Sequence, residues 1–130
     1  AQGIYTGDAT AQTYDRMREI AASIIAADFT VIVDATFLLE SQRMALLEMV
    51  VSASCKKIII HCDVPEAELR RRIVARENDP SEANLEVLDE QLRTQQPIGE
   101  AEQKYAQLVT IGSRGIDPER VQEIKKLLTK

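Results

Sequence analysis

The sequence is short of the residues that many small proteins depend on. Its only cysteines, Cys55 and Cys62, have no CxxC spacing and no second cluster, which leaves out a disulfide scaffold and points to free thiols in a reducing cytoplasm. The single histidine, His61, precedes Cys62. Neighbours along a strand face opposite ways, so the two do not readily cooperate as nucleophile and base. The ligand count is too low for a metal site. Aromatic residues make up only 4% of the chain, and Tyr5, Tyr14 and Tyr105 are scattered, so no base-stacking platform is expected. No apolar run approaches the ~18 residues of a membrane span. The N-terminus lacks a basic region followed by an apolar core, and no signal peptide is expected. Basic residues are outnumbered, giving a net charge of -5 and a pI near 4.9. Bulk electrostatics therefore oppose adsorption to nucleic acid or anionic membrane, although a local basic patch can still bind phosphate. These absences predict a cytoplasmic protein with neither nucleic acid nor membrane as partner.

What is present suits an ordinary globular chain. With 130 residues, 45% of them hydrophobic and 28% charged, the sequence predicts one domain over 1–130 with a real core. Its centre is Phe29-Thr30-Val31-Ile32-Val33-Asp34-Ala35-Thr36-Phe37, an apolar β-branched run ending in a carboxylate and a hydroxyl. Such a run predicts a strand buried on both faces of a parallel sheet. In open α/β sheets the ligand sits beyond the carboxyl ends of the strands, which puts Asp34 and Thr36 where chemistry is expected. The plainer alternative is that Asp34 caps the helix that follows.

Around that stretch the patterns alternate. Tyr14, Met17, Ile20, Ala21, Ile24 and Ile25 recur at helical spacing over 9–27, predicting an amphipathic helix on a sheet. A second helix is expected over 41–54 and a second buried strand over 57–62. Pro65 with Glu66 then starts a basic helix to about Arg76. Residues 77–81 break it before a helix over 82–95. A short helical turn is expected within 100–106, a third strand over 107–111 and a turn at 112–115. Asp117-Pro118-Glu119 caps a last helix to Leu128. This order predicts an α/β fold with a mainly parallel sheet of about three strands.

Two constellations carry chemistry on the residues alone. Asp34, Thr36 and, shortly downstream, Arg43 form the first. A carboxylate at a strand end can act as general base toward a hydroxyl or orient magnesium-bound water, and Arg43 can neutralise an anionic substrate or simply face solvent. The second is the run Arg70, Arg71, Arg72 and Arg76. Arg72 and Arg76, four apart, share one helical face and suit stabilisation of phosphate charge. The alternative is a solvated face paired with Glu66, Glu68 and Glu77.

Ile4-Tyr5-Thr6-Gly7-Asp8-Ala9-Thr10, Thr13-Tyr14, Val31-Ile32-Val33-Asp34-Ala35-Thr36-Phe37 with Gln42-Arg43, Cys62-Asp63-Val64-Pro65-Glu66, the segment from Leu69 to Arg76 and that from Ser81 to Leu88 together resemble the AAA-type P-loop kinase-like proteins. That domain often follows an aminoglycoside-phosphotransferase-like domain in a longer chain. The resemblance covers roughly 4–111 and implies a three-layer α/β/α nucleotide-binding fold acting with ATP and magnesium on a small-molecule substrate. It implies Asp34 as the active-site acid, Arg72 and Arg76 as lid arginines within a lid over about 70–95, and Gly112 and Ser113 near the nucleotide base. Thr36 and Arg43 stand as substrate-side residues.

One departure is decisive. The family's phosphate loop, GxxxxGK[ST], is absent, and no Gly-Lys dipeptide occurs anywhere. Its backbone N–H groups cradle phosphates, its lysine reaches the β and γ positions, and its hydroxyl holds magnesium. The chain is therefore expected to be the C-terminal part of such a domain, inactive alone. In the family's usual order the missing first strand lies between the strands over 30–33 and 57–62. Either these two pair directly, or a second copy covers the exposed sheet edges. The competing expectation is a non-catalytic α/β interaction module whose arginines bind an acidic partner.

Overall fold

The computed structural model describes residues 7–50, 54–76, 82–115 and 117–129. Within them the chain runs α1 (Gly7–Ala26), α2 (Glu40–Met49), β1 (Ile58–Cys62), α3 (Glu66–Val74), α4 (Glu82–Thr94), α5 (Glu100–Gln103), β2 (Gln107–Ile111) and α6 (Pro118–Leu128). The two strands are parallel, in register from Ile58 opposite Gln107 to Cys62 opposite Ile111. A parallel pair needs a crossover rather than a hairpin, and α3, α4 and α5 supply it. The expected α/β class with a parallel sheet stands, with two strands among the described residues where about three were expected.

The largest departure is the stretch 29–37. It runs without helix or strand. The backbone of 30–36 makes no hydrogen bond to another described residue. Phe29 is 70% exposed and Ile32 89%, the reverse of a strand buried on both faces. Composition favours the extended backbone, but a strand exists only when a neighbour pairs with it, and β1 does not. Direct pairing of 30–33 with 57–62 is thus ruled out within this chain.

The turn into that stretch is well specified. Asp28 takes φ +65°, while its N–H donates to the Ile25 carbonyl at 2.9 Å and the Phe29 N–H to the Ile24 carbonyl at 3.2 Å. This is the paired bonding of a Schellman end, with aspartate in the left-handed position that glycine usually takes. α1 packs against α2, and α3 against α4. The core consists of Ala21, Leu47, Val50, Leu88, Ala106, Val109 and Ile111. β2 alternates as a half-buried strand should, with Val109 and Ile111 inward. β1 was expected to be buried and is not: Ile60 is 47% exposed, and His61 and Cys62 are open. Among the described residues it has a neighbour on one edge alone.

Other boundaries shift modestly. α2 ends at Met49 rather than near 54, and 51–53 lie outside the described residues. α3 ends at Val74, with Pro65 as its N-cap. The break expected over 77–81, and with it Glu77, also lies outside them. α6 begins as expected, Asp117 Oδ1 accepting the Arg120 N–H at 2.8 Å. Cys55 and Cys62 are free thiols. No helix among the described residues is long and apolar enough to cross a membrane.

Candidate functional site

The loop between α1 and α2 is irregular, yet it is tied down on three sides. From α1, the Tyr14 hydroxyl accepts the Phe37 N–H at 3.1 Å and lies 3.3 Å from Thr36 Oγ1. The two rings meet edge to face, with centroids 5.2 Å apart. From α2, Arg43 Nη1 donates to the Phe37 carbonyl at 2.6 Å. From the segment between α4 and α5, the Gln96 N–H donates to the Leu38 carbonyl at 2.7 Å, and Gln96 Oε1 accepts the Glu40 N–H at 2.7 Å. Gln96 thus satisfies an orphan donor at the start of α2, whose N-cap Leu39 offers no side-chain acceptor. Phe37 itself has φ +43°, uncommon for a bulky residue. The contacts from Tyr14 and Arg43 hold it there.

Arg43 is the hub of this arrangement. It is 7% exposed, and its Nε donates to Glu102 Oε1 at 2.9 Å while Nη2 donates to the Pro97 carbonyl at 3.1 Å. All three nitrogens are engaged inside the protein. In this structure Arg43 fixes the loop that follows Asp34 and does not face solvent. Its partner, Glu102, is fully buried, and Oε2 has no hydrogen-bond partner among the described residues. Glu102 is not among the residues that the sequence pattern singles out. The signal available was its place four residues before Ala106, on the inward side of a short amphipathic turn, together with an arginine in need of a buried carboxylate.

Asp34 caps nothing. It stands exposed, six residues before α2, and its carboxylate meets no described residue. The helix-cap alternative is therefore corrected: the helix starts too far away. Thr36 is also exposed, with its hydroxyl beside Tyr14.

The arginine run behaves differently. Arg70 bridges Glu66 at 2.8 Å and also pairs with Asp89 on α4. Arg71 and Arg72 both bond Glu68, at 2.7 and 2.8 Å. Hydrogen bonds from Arg71 and then Arg72 lower the Glu68 carboxyl from 4.5 to about 2. Arg72 Nη2 further donates to the Ser113 carbonyl at 2.9 Å, in the turn beyond the carboxyl end of β2. Two expected site residues, Arg72 and Ser113, are thereby brought together, with Gly112 beside them. Arg76 lies past the end of α3, so it does not continue a helical face with Arg72. Its guanidinium has no partner among the described residues.

The structure therefore holds two groups: Asp34, Thr36 and Arg43 in one, and Arg72, Gly112 and Ser113 in the other. No hydrogen bond or ion pair joins them among the described residues. Two shallow surface hollows, of about 430 and 500 Å³, lie along α6 and α1 and include none of these residues. Among the described residues no cluster of His, Cys, Asp and Glu is arranged to hold a metal ion.

A family model described as an AAA domain matches residues 2–98. The chain belongs to the AAA domain family. The match spans the Asp34 loop, β1, α3, α4 and Pro97, and stops short of Glu102, β2 and Ser113. This places the AAA domain chain among the P-loop NTPase-like, nucleotide-binding proteins of kinase and ATPase type. No curated protein and no solved structure matches it.

Proposed function

We propose that this chain supplies the acidic and arginine side of a P-loop kinase-like enzyme that binds Mg-ATP. Such an enzyme transfers a phosphoryl group to a small hydroxyl-bearing molecule, or hydrolyses the nucleotide. The observation that carries the reading is Asp34: a carboxylate that caps no helix and pairs with no described residue, on a loop anchored just downstream at Thr36 and Phe37. A free carboxylate on a fixed support is what a general base or a magnesium-side acid requires.

The residues present fit the two halves of Mg-ATP unequally. Magnesium favours one or two carboxylates together with waters and phosphate oxygens, and Asp34 with the Thr36 hydroxyl offers that chemistry. The phosphate cradle does not fit: no Gly-Lys pair exists in the sequence, and Arg72 is committed to Glu68 and Ser113. On this proposal a GxxxxGK[ST] loop belongs to another segment of a longer protein, and the 130-residue chain is inactive without it. Asp34 accepts the proton of the attacking hydroxyl or orients a water. Arg76, and Arg72 on release from Glu68, balance phosphate charge. Gly112 and Ser113 lie toward the base, and Arg43 positions the acidic loop.

Calorimetric titration of Mg-ATP tests this, using the chain itself and a version extended upstream through the phosphate loop. Binding by the extended version alone supports the proposal. Tight binding or turnover by the 130-residue chain overturns its phosphate-loop part. Silence from both favours a non-catalytic interaction module.

A further inference from the structure

Residues 30–36 make no backbone hydrogen bond to another described residue, so the place of Asp34 is set by the two ends of its loop. The front end is the left-handed turn at Asp28 that closes α1. The back end is Phe37, three residues past Asp34, whose φ is +43°. That conformation is costly for a bulky side chain and persists only where its surroundings hold it. Two groups do so. The Phe37 N–H donates to the Tyr14 hydroxyl at 3.1 Å, and its carbonyl accepts from Arg43 Nη1 at 2.6 Å.

The second contact is only as fixed as the guanidinium that makes it. A guanidinium is a planar fork, and three engaged nitrogens leave its plane no freedom. Nε donates to Glu102 Oε1 at 2.9 Å, and Nη2 lies 2.9 Å from the same oxygen while donating to the Pro97 carbonyl at 3.1 Å. Glu102 thereby aims Nη1 at Phe37. It is the buried residue of the single-turn helix α5 and lies beyond the 2–98 family match. Joining these elements does not need charge, since apolar side chains of similar volume usually pack as well as a buried ion pair, or better. They cannot direct a hydrogen bond onto one carbonyl. Glu102 Oε2, without a hydrogen-bond partner among the described residues, adds a burial cost that packing alone gives no reason for.

We infer that Glu102 is a positioning residue for the reaction at Asp34: through Arg43 it fixes the Phe37 peptide, and so the place of the carboxylate three residues earlier. This rests on the reading of Asp34 as the base or magnesium-side acid. Shut off from water, Glu102 meets no substrate itself.

The paired variant Arg43→Met with Glu102→Leu tests this, because it removes both charges and keeps the packing. In the 130-residue chain its urea midpoint should stay close to the parent's. Amide exchange at Phe37 should become about tenfold faster, the scale of one lost hydrogen bond, with no change at Val109. Glu102→Asp, which keeps the charge but retracts it by one methylene, should move Phe37 exchange in the same direction. In the version carrying the phosphate loop, conversion of Mg-ATP to ADP with water as acceptor should fall about 100-fold in kcat for the paired variant, with KM for Mg-ATP kept. Val109→Ala, a core truncation in β2, supplies the contrast: a lower urea midpoint and an unchanged kcat. Unchanged Phe37 exchange in both Glu102 variants overturns the inference. So does a kcat that simply follows the urea midpoint from variant to variant. Asp34→Asn in the same version separates the two readings. If it abolishes turnover while the paired variant keeps it, the positioning role alone fails. If it leaves turnover intact, the proposed function fails, and the positioning role with it.

Discussion

Arg43 and Glu102, 59 residues apart in sequence, form a buried ion pair with Nε 2.9 Å from Oε1. Glu102 is shut off from water and Arg43 is nearly so. Burying two charges costs several kcal/mol each, recovered only through close geometry and further hydrogen bonds. Here those bonds go to the Phe37 and Pro97 carbonyls, so the pair joins α2, α5 and the acidic loop into one unit.

Removing one partner strands the other. Arg43→Ala leaves a buried carboxylate without its cation, and Glu102→Ala leaves a guanidinium without its anion. Each should cost about 3–5 kcal/mol. Urea denaturation checks this, and the double variant should cost clearly less than the sum of the two. Additive losses would show that the pair is not coupled.

Tyr14 tests the same loop from the other side. Tyr14→Phe keeps the ring against Phe37 and removes only the hydroxyl that meets the Phe37 N–H and Thr36 Oγ1. The expected loss is about 1 kcal/mol, the usual net worth of such a bond. Faster amide exchange at Phe37 should accompany it. Tyr14→Ala, which also removes the ring contact, should cost more.

How far the sequence anticipates this structure depends on the range of the interaction that decides each element. β2, α4 and α6 are legible because local signals specify them: alternation at Val109 and Ile111, helical spacing of Leu85, Leu88 and Leu92, and the Asp117 cap. The stretch 29–37 misleads because β-branched composition favours an extended chain but cannot supply a pairing neighbour. The same gap leaves β1 more open than its composition suggests. Arg43 is legible as a notable residue, but its role is not, since Glu102 and the Pro97 carbonyl come from distant sequence. Helical spacing foresees that Arg70, Arg71 and Arg72 diverge, and it offers Glu66 and Glu68 as neighbours. It cannot foresee Asp89 on another helix or the Ser113 carbonyl. Asp34 is the reverse case: its position draws attention, and its lack of a partner among the described residues is visible only in the fold.

Glu68 gives a pH signature. Its carboxyl sits at about 2 in the folded chain against an ordinary 4.5, held down by hydrogen bonds from Arg71 and then Arg72. A lowered native value means that the unfolded chain binds this proton first as pH falls. The contribution is therefore complete above about 4.5 and fades between there and about 2. Glu68 is half-buried but both arginines that bond it are exposed, so solvent and salt keep the effect small. Carbon-detected NMR titration should find Glu68 titrating well below the ordinary glutamate value of 4.5, and Arg71→Gln should move it upward.

Asp34→Asn separates structure from chemistry. The carboxylate bonds no described residue and caps no helix, so the change should leave stability within about 0.5 kcal/mol. In a version carrying the phosphate loop, the same change should lower turnover by about 10²–10⁴-fold, the range expected on losing a general base. Mg-ATP binding should be largely kept, because the phosphates are held elsewhere. Calorimetry and a coupled turnover assay on one preparation provide both readings. If turnover survives while stability falls, Asp34 is a structural residue and the catalytic assignment fails. If stability is untouched and turnover collapses, the free carboxylate is the base or magnesium-side acid that its isolation in the fold suggests.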